Sequence, residues 1–124
     1  ADMTQAVLQG VSFALRDSLE ALRSTGAKLD SVLAIGGGAQ SAYWVEMLAT
    51  VLNLPLELPE QGDFGAALGA ARLAICGVTG AAVADVMTKP SVAKVVAPNA
   101  ALVDTYQVRY DHFHSRFPAW RLLQ

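Results

Sequence analysis

The segment that most constrains the fold is residues 31–41, Ser-Val-Leu-Ala-Ile-Gly-Gly-Gly-Ala-Gln-Ser. Residues 31–35 are short, apolar and uncharged, the pattern of a strand covered on both faces. They run straight into Gly36, Gly37 and Gly38, and a helical pattern follows from Ser41 to Leu52. Strand, glycine turn and helix in that order open a βα unit. Such units normally build a parallel sheet with crossover helices.

The flanking segments extend this pattern. Before the strand, Val7, Leu8, Val11, Ala14, Leu15, Leu19 and Leu22 recur at three- and four-residue spacing and predict an amphipathic helix with that stripe inward. Asp2 with Gln5 reads as a capping box, and Gly26 as the left-handed stop. In the second helix Trp44, Val45, Leu48, Ala49 and Leu52 point inward, Asn53 ends it and Pro55 cannot extend it. Leu56 and Leu58 alternate with Glu57 in a short strand that Pro59 stops. A third helix over residues 64–76 is built largely of Gly65, Ala66, Ala67, Gly69, Ala70, Ala71 and Ala74. A glycine inside a helix costs about 1 kcal/mol against alanine, so this helix is expected to pack tightly on its neighbours. Residues 77–97 read as a loop with one helical turn. Pro98 opens a last helix over residues 99–117, with Tyr106, Tyr110, Phe113 and Phe117 as a core stripe and Pro118 as its end.

That order gives two strands and four helices. Two strands are too few to cover three apolar helices. Composition points the same way: 53% of the 124 residues are hydrophobic and 16% charged, against about 25% charged in an ordinary domain. Disorder is excluded, because it needs the opposite balance. The expectation is a truncated α/β domain, residues 1–124 forming one partial domain that self-associates when its uncovered faces meet.

Charge excludes other classes. The net charge is −2, with 9 basic and 11 acidic residues, and no basic stripe marks a nucleic-acid binder. The longest charge-free runs, residues 31–45 and 73–84, are short of the roughly 18 apolar residues that span a membrane. No secretory leader is visible, and the one cysteine, Cys76, has no partner for an internal disulfide; a cytoplasmic protein is expected, with Cys76 buried as a small hydrophobe.

The chemistry concentrates in the glycine run. Glycines permit a sharp turn and let a ligand touch backbone; amides at the following helix start carry partial positive charge that suits a phosphate. Ser41 can cap that helix or donate its hydroxyl. A plain turn without a ligand is the competing reading. The dinucleotide fingerprint Gly-x-Gly-x-x-Gly fits at Gly36 and Gly38 but meets Ser41 at the third glycine, although Glu57 and Glu60 lie near the acidic position it wants. A Walker loop is ruled out, since no lysine stands between Lys28 and Lys89. Any phosphate must therefore be held by amides or by side chains from elsewhere in the sequence. A helix terminus contributes about 0.3–1 kcal/mol, against about 4 kcal/mol for even a 1 mM complex. No catalytic constellation stands out: His112 and His114 are two apart and read as surface residues, and Asp63 reads as a helix cap that can also serve the site.

Residues 32–50, Val-Leu-Ala-Ile-Gly-Gly-Gly-Ala-Gln-Ser-Ala-Tyr-Trp-Val-Glu-Met-Leu-Ala-Thr, resemble the sugar kinases of the FGGY family. Leu54-Pro55-Leu56 and the later run Gly62-Asp-Phe-Gly-Ala-Ala-Leu-Gly-Ala-Ala-Arg-Leu-Ala74 strengthen the likeness. It is strong over residues 29–77 and weaker outside them. The resemblance implies a ribonuclease-H-like, actin-like ATPase fold in a two-domain kinase, with nucleotide and sugar meeting between the domains. By position, Gly36, Gly37, Gly38 and Ala39 would line the phosphates and adenosine of ATP or ADP, bound with Mg²⁺. Ser41 falls where many relatives carry Asn near the adenine, and Asp63 where many carry Glu. The resemblance also implies that the sugar contacts, for a ketose, and the catalytic aspartate lie in an N-terminal part this chain does not contain. The segment alone would then be inactive. A family member acting on glycerol, gluconate or ribulose, a non-enzymatic association module and a dinucleotide-binding oxidoreductase are the alternatives.

Overall fold

The computed structural model describes residues 2–60 and 65–121, with backbone alone over 117–121. The chain order is α1 (Asp2–Ser24), β1 (Val32–Leu33), a 3-10 turn (Gly37–Gln40), α2 (Ala42–Leu52), β2 (Leu56–Pro59), α3 (Gly65–Thr79), α4 (Val83–Val86), β3 (Val92–Val96) and α5 (Ala100–Arg121). The fold is α/β, as expected, but the sheet is mixed. β1 pairs parallel to β2 with Val32 opposite Leu56, and β3 adds antiparallel to β2 with Leu58 opposite Lys94.

β3 corrects the reading of residues 77–97 as loop. Gly80 and Pro90 punctuate that stretch, yet Val92, Val95 and Val96 between Pro90 and Pro98 supply the β-branched density a strand needs. Gly80 takes φ +69 just after α3, and α4 is the single helical turn anticipated there.

α2 is the centre of the molecule. Ser41 caps its start, accepting from the Trp44 amide at 3.3 Å, and Asn53 closes it in the left-handed region at φ 49. The helix is apolar nearly all round, so it is buried on several sides. Val45, Ala49 and Leu52 join Leu19, Leu54 and Leu56 in one core cluster, against the sheet. Met47 and Val51 join Phe13, Tyr106 and Tyr110 in a second, between α1 and α5. Tyr106, Tyr110 and Phe113 thus form the core stripe expected of them, whereas the Phe117 side chain lies outside the described residues. Asn99 caps α5, its Oδ1 accepting from the Ala101 amide at 3.2 Å. The helix runs through Pro118 to Arg121 instead of ending there, giving up the bond that residue 118 would donate to the His114 carbonyl.

Three burial expectations fail, because no element among the described residues covers those faces. In α1 the buried residues are Ser12, Phe13 and Leu19, while Val7, Val11, Leu15 and Leu22 of the expected stripe are exposed. The helix turns Phe13 towards the aromatic face of α5, with ring centroids 5.4 Å from Phe113 and 6.1 Å from Tyr110. Leu15 and Leu22 instead line an open apolar groove of about 640 Å³ between α1, β1 and α2. β1 is covered on one face only; Leu33 and Ile35 are exposed. α3 packs on α4 and has no buried residue, and a Cβ placed on Gly69 would meet nothing within 4 Å. Cys76 on that helix is accordingly half-exposed rather than buried. At the other end of the chain, α1 already includes Asp2, so Asp2 is not the cap of a capping box.

Candidate functional site

The glycine run does not pass from strand directly into α-helix. Amides of Val32 and Ala34 donate to the carbonyls of Pro55 and Glu57 at 3.0 and 2.9 Å, which aligns the C-terminal ends of β1 and β2. Gly36 then turns the chain with φ 84 and ψ −178, a conformation that only glycine takes without strain. A 3-10 turn follows, closed by the Ala39 amide on the Gly36 carbonyl at 3.0 Å and the Ser41 amide on the Gly38 carbonyl at 3.2 Å. α2 begins only after Ser41. The single helix start expected from the sequence is therefore two short starts in succession. Ser41 Oγ is engaged as the cap of the second, and its hydroxyl proton remains able to donate.

The three glycines answer to different constraints. Gly36 is set by its positive φ. Gly38 is set by Trp44: a Cβ there would lie 2.1 Å from Cζ3 and 2.9 Å from Cε3 of the indole. That indole is anchored, since its Nε1 donates to Ser12 Oγ at 3.2 Å while Ser12 Oγ donates to the Leu8 carbonyl at 2.8 Å. Gly37 has no positive φ, and a Cβ on it would meet nothing within 4 Å. Nothing in the described chain requires glycine at 37. Open space over a bare backbone is what a ligand lying against that backbone would need.

The surroundings divide the expected site residues. Gly36 and Ala39, with Gln40, Leu58, Pro59 and Glu60, line a cleft of about 210 Å³ at the C-terminal ends of the paired strands, where open α/β sheets place their ligands. Gly38 faces the apolar groove beneath Trp44. Ser41 is turned into the α2 cap. Beyond Ala39 and Gln40 a larger cleft of about 570 Å³ runs on to Glu46, Lys94 and Asn99. Lys94 was missed by the sequence reading because its strand was missed. Asp63, expected as a cap that can serve the site, lies outside the described residues.

Electrostatics elsewhere are structural. Glu57 accepts from Lys89 Nζ at 2.7 Å and from Ser31 Oγ at 2.8 Å, and these bonds, Lys89 first, hold its carboxyl below the usual carboxylate range. Asp17 accepts from Tyr110 Oη at 2.6 Å and meets His114 Nδ1 at 2.8 Å, tying α5 to α1. Burial first, then that bond to Asp17, pushes the Tyr110 hydroxyl up to about 12. His114 is 64% exposed and His112 is exposed, both on the surface as expected. Among the described residues no group of three or more His, Cys, Asp or Glu is placed to hold a metal ion, and no helix is long and apolar enough to cross a membrane.

Comparison with known proteins follows the same stretch of chain. The family model described as "FGGY family of carbohydrate kinases, C-terminal domain" matches residues 1–78. A protein named xylulose kinase from Escherichia coli is 48% identical over 73 residues, covering 59% of this chain and 15% of that protein. A probable L-xylulose kinase from Pasteurella multocida is 34% identical over 113 residues, covering 91% of this chain and 23% of its own length. Among solved structures, one described as a xyloylose kinase from Brucella ovis superposes with a TM-score of 0.84 at 48% identity, over 98% of this chain and 25% of the other. The chain thus spans a quarter or less of the length of these relatives.

Proposed function

The chain belongs to the FGGY family of carbohydrate kinases and has the ribonuclease-H-like fold of the family's C-terminal domain, and on that premise we propose that it is the nucleotide platform of a longer, cytoplasmic two-domain kinase that phosphorylates D-xylulose with ATP. The sugar is suggested by the printed names of the relatives. The nucleotide role is carried by one observation, the glycine at 37 that neither backbone conformation nor packing requires.

In this reading the phosphates of ATP or ADP lie against the backbone of residues 36–39, beside the cleft that Gly36 and Ala39 line at the strand ends, with Ser41 at the adenosine side. Transfer moves the γ-phosphoryl group to a sugar hydroxyl, ADP leaves, and the hydroxyl proton goes to a carboxylate supplied outside this chain. Mg²⁺ would arrive on the nucleotide phosphates and keep most of its waters. This chain's part is binding and orientation, the main source of catalysis in phosphoryl transfer. The segment by itself would turn over no sugar, and its uncovered groove beside α1 would drive self-association.

The test is Gly37→Val in the full-length kinase that carries this segment. A valine side chain at 37 occupies the space assigned to phosphate, so the KM for ATP is expected to rise at least about tenfold, roughly 1.4 kcal/mol. The KM for D-xylulose should hold. An unchanged KM for ATP removes Gly37 from the site, and absence of ATP-dependent phosphorylation of D-xylulose in the unmutated enzyme overturns the sugar assignment.

A further inference from the structure

We propose that Lys94 supplies the cation that pairs with the phosphates of the bound nucleotide. The inference rests on the nucleotide reading above and deepens it, since the glycine turn itself brings no positive side chain.

Three observations carry it. First, β3 places the residue: Lys94 is the register partner of Leu58, one residue before the end of β2. Leu58 lines both clefts, the small one that reaches Gly36 and the larger one that holds Lys94. Ala39 and Gln40 also line both, so the two clefts are neighbours that share a wall, with Gly36 on the smaller and Lys94 on the larger. The larger, about 570 Å³, lies within the range of about 300–1,000 Å³ usual for small-molecule sites.

Second, Lys94 is uncommitted. Its side chain makes no hydrogen bond or ion pair with any of the described residues, Glu46 in the same cleft included. Lys89 is engaged with Glu57 at 2.7 Å, Arg23 with Glu20 at 2.8 Å and Arg72 with the Thr88 carbonyl at 2.9 Å; Lys28 and Arg116 are unpaired among the described residues too, but neither lines these clefts. Arg16 donates to Gln107 and lies 4.2 Å over the Tyr110 ring.

Third, the anion needs a cation. The 3-10 turn is four residues long and offers a few amides with little dipole behind them. Glu46 and Glu60 line the two clefts and oppose a polyphosphate. A nucleotide settling there gains a charge-assisted contact from a lysine on the wall, and lysine serves phosphates well as a compact point charge. Lys94 is exposed and unpaired, so it can swing towards phosphate without breaking an existing bond.

The experiment is calorimetric titration of the full-length kinase with ADP plus Mg²⁺, and with adenosine, for four proteins: wild type, Lys94→Ala, Lys94→Arg and Lys28→Ala. Lys28 precedes β1, at the opposite end of the strand from the glycine turn. The expected result is a Kd for ADP raised about tenfold in Lys94→Ala, an unchanged Kd for adenosine, recovery in Lys94→Arg and no change in Lys28→Ala. Equal ADP affinity in wild type and Lys94→Ala overturns the inference and leaves the platform reading intact. Equal losses for ADP and adenosine overturn the phosphate role. No ADP binding by the wild-type enzyme overturns the platform reading itself. Unaltered circular dichroism and melting of Lys94→Ala exclude misfolding, as expected for an exposed strand position.

Discussion

Alanine at Gly38 and alanine at Gly37 should have opposite consequences, although the two positions are adjacent. At Gly38 the new Cβ would sit 2.1 Å from Cζ3, 2.9 Å from Cε3 and 3.2 Å from Cη2 of Trp44. Carbon atoms pack at about 3.5–4.0 Å, so the ring must retreat by more than about 1 Å. The Nε1 bond to Ser12 Oγ is already 3.2 Å long, at the limit of N–H···O geometry, and a shift of that size breaks it. Ser12 is fully buried. Overpacking costs about 1–3 kcal/mol and the lost bond about 0.5–1.5 kcal/mol. Restricting the unfolded chain returns about 0.4–1 kcal/mol. The net expectation for Gly38→Ala is a loss of about 2 kcal/mol. Gly37→Ala meets no atom and no positive φ, so only the last term applies and stability should hold or rise slightly. Urea denaturation of the full-length kinase, read by its tryptophan fluorescence, measures both. Slopes of about 1–3 kcal/mol/M hold for small proteins and grow with size, so the Gly38 variant's midpoint should fall by several tenths of a molar. A Gly38→Ala protein as stable as wild type, or a Gly37→Ala protein that loses as much, refutes the division of roles among the three glycines.

Two pH-dependent predictions follow from the charged contacts. Tyr110, one of three tyrosines, should form phenolate only near pH 12 in an ultraviolet absorbance titration. Its pKa is raised on folding, so its contribution to stability is complete below the ordinary tyrosine value of about 10 and is lost as pH rises through about 12. Asp17→Asn should lower that midpoint, and a midpoint unmoved by the substitution would deny the Asp17 bond its part. Glu57 is the opposite case: its pKa is depressed on folding, so the Lys89 and Ser31 contacts stabilise above the unfolded carboxylate value of about 4.3 and fade as pH falls through the folded one. The stability difference between wild type and Lys89→Ala should therefore close on acidification, and a difference independent of pH would refute the pairing.

How much of this was legible depended on how local each signal was. The ends of α2 were, because Ser41, Asn53 and Pro55 act on the backbone within a residue or two. So was the stripe of Tyr106, Tyr110 and Phe113, since helical spacing alone puts those side chains together. β3 was partly legible: Val92, Val95 and Val96 carry strand propensity, but Gly80 and Pro90 punctuate the stretch strongly enough to hide it. The face of α1 was misread because apolar periodicity identifies an apolar surface without saying which element covers it. Leu15 and Leu22 belong to that surface and remain open to the groove, while the contact with α5 falls to Phe13. The small residues of α3 show the same limit, recording what the helix can pack against and not whether the partner lies in the same stretch of chain.

The glycine turn shows the limit most sharply. Three identical residues after a strand invite one explanation, and the sequence reading assigned all three to a ligand. Side-chain placement separates them: Gly36 answers to backbone conformation, Gly38 to an indole that arrives six residues later, and Gly37 to nothing within the described chain. The cation proposed above for a phosphate at this turn is likewise invisible locally, because Lys94 is brought beside Leu58 only through the pairing of β3 with β2. Motif reading finds no lysine between Lys28 and Lys89 and leaves any phosphate to backbone amides or to side chains from elsewhere. A strand absent from that reading brings a lysine to the wall of the neighbouring cleft, so the proposed site gains a candidate for the charge that its amides lack.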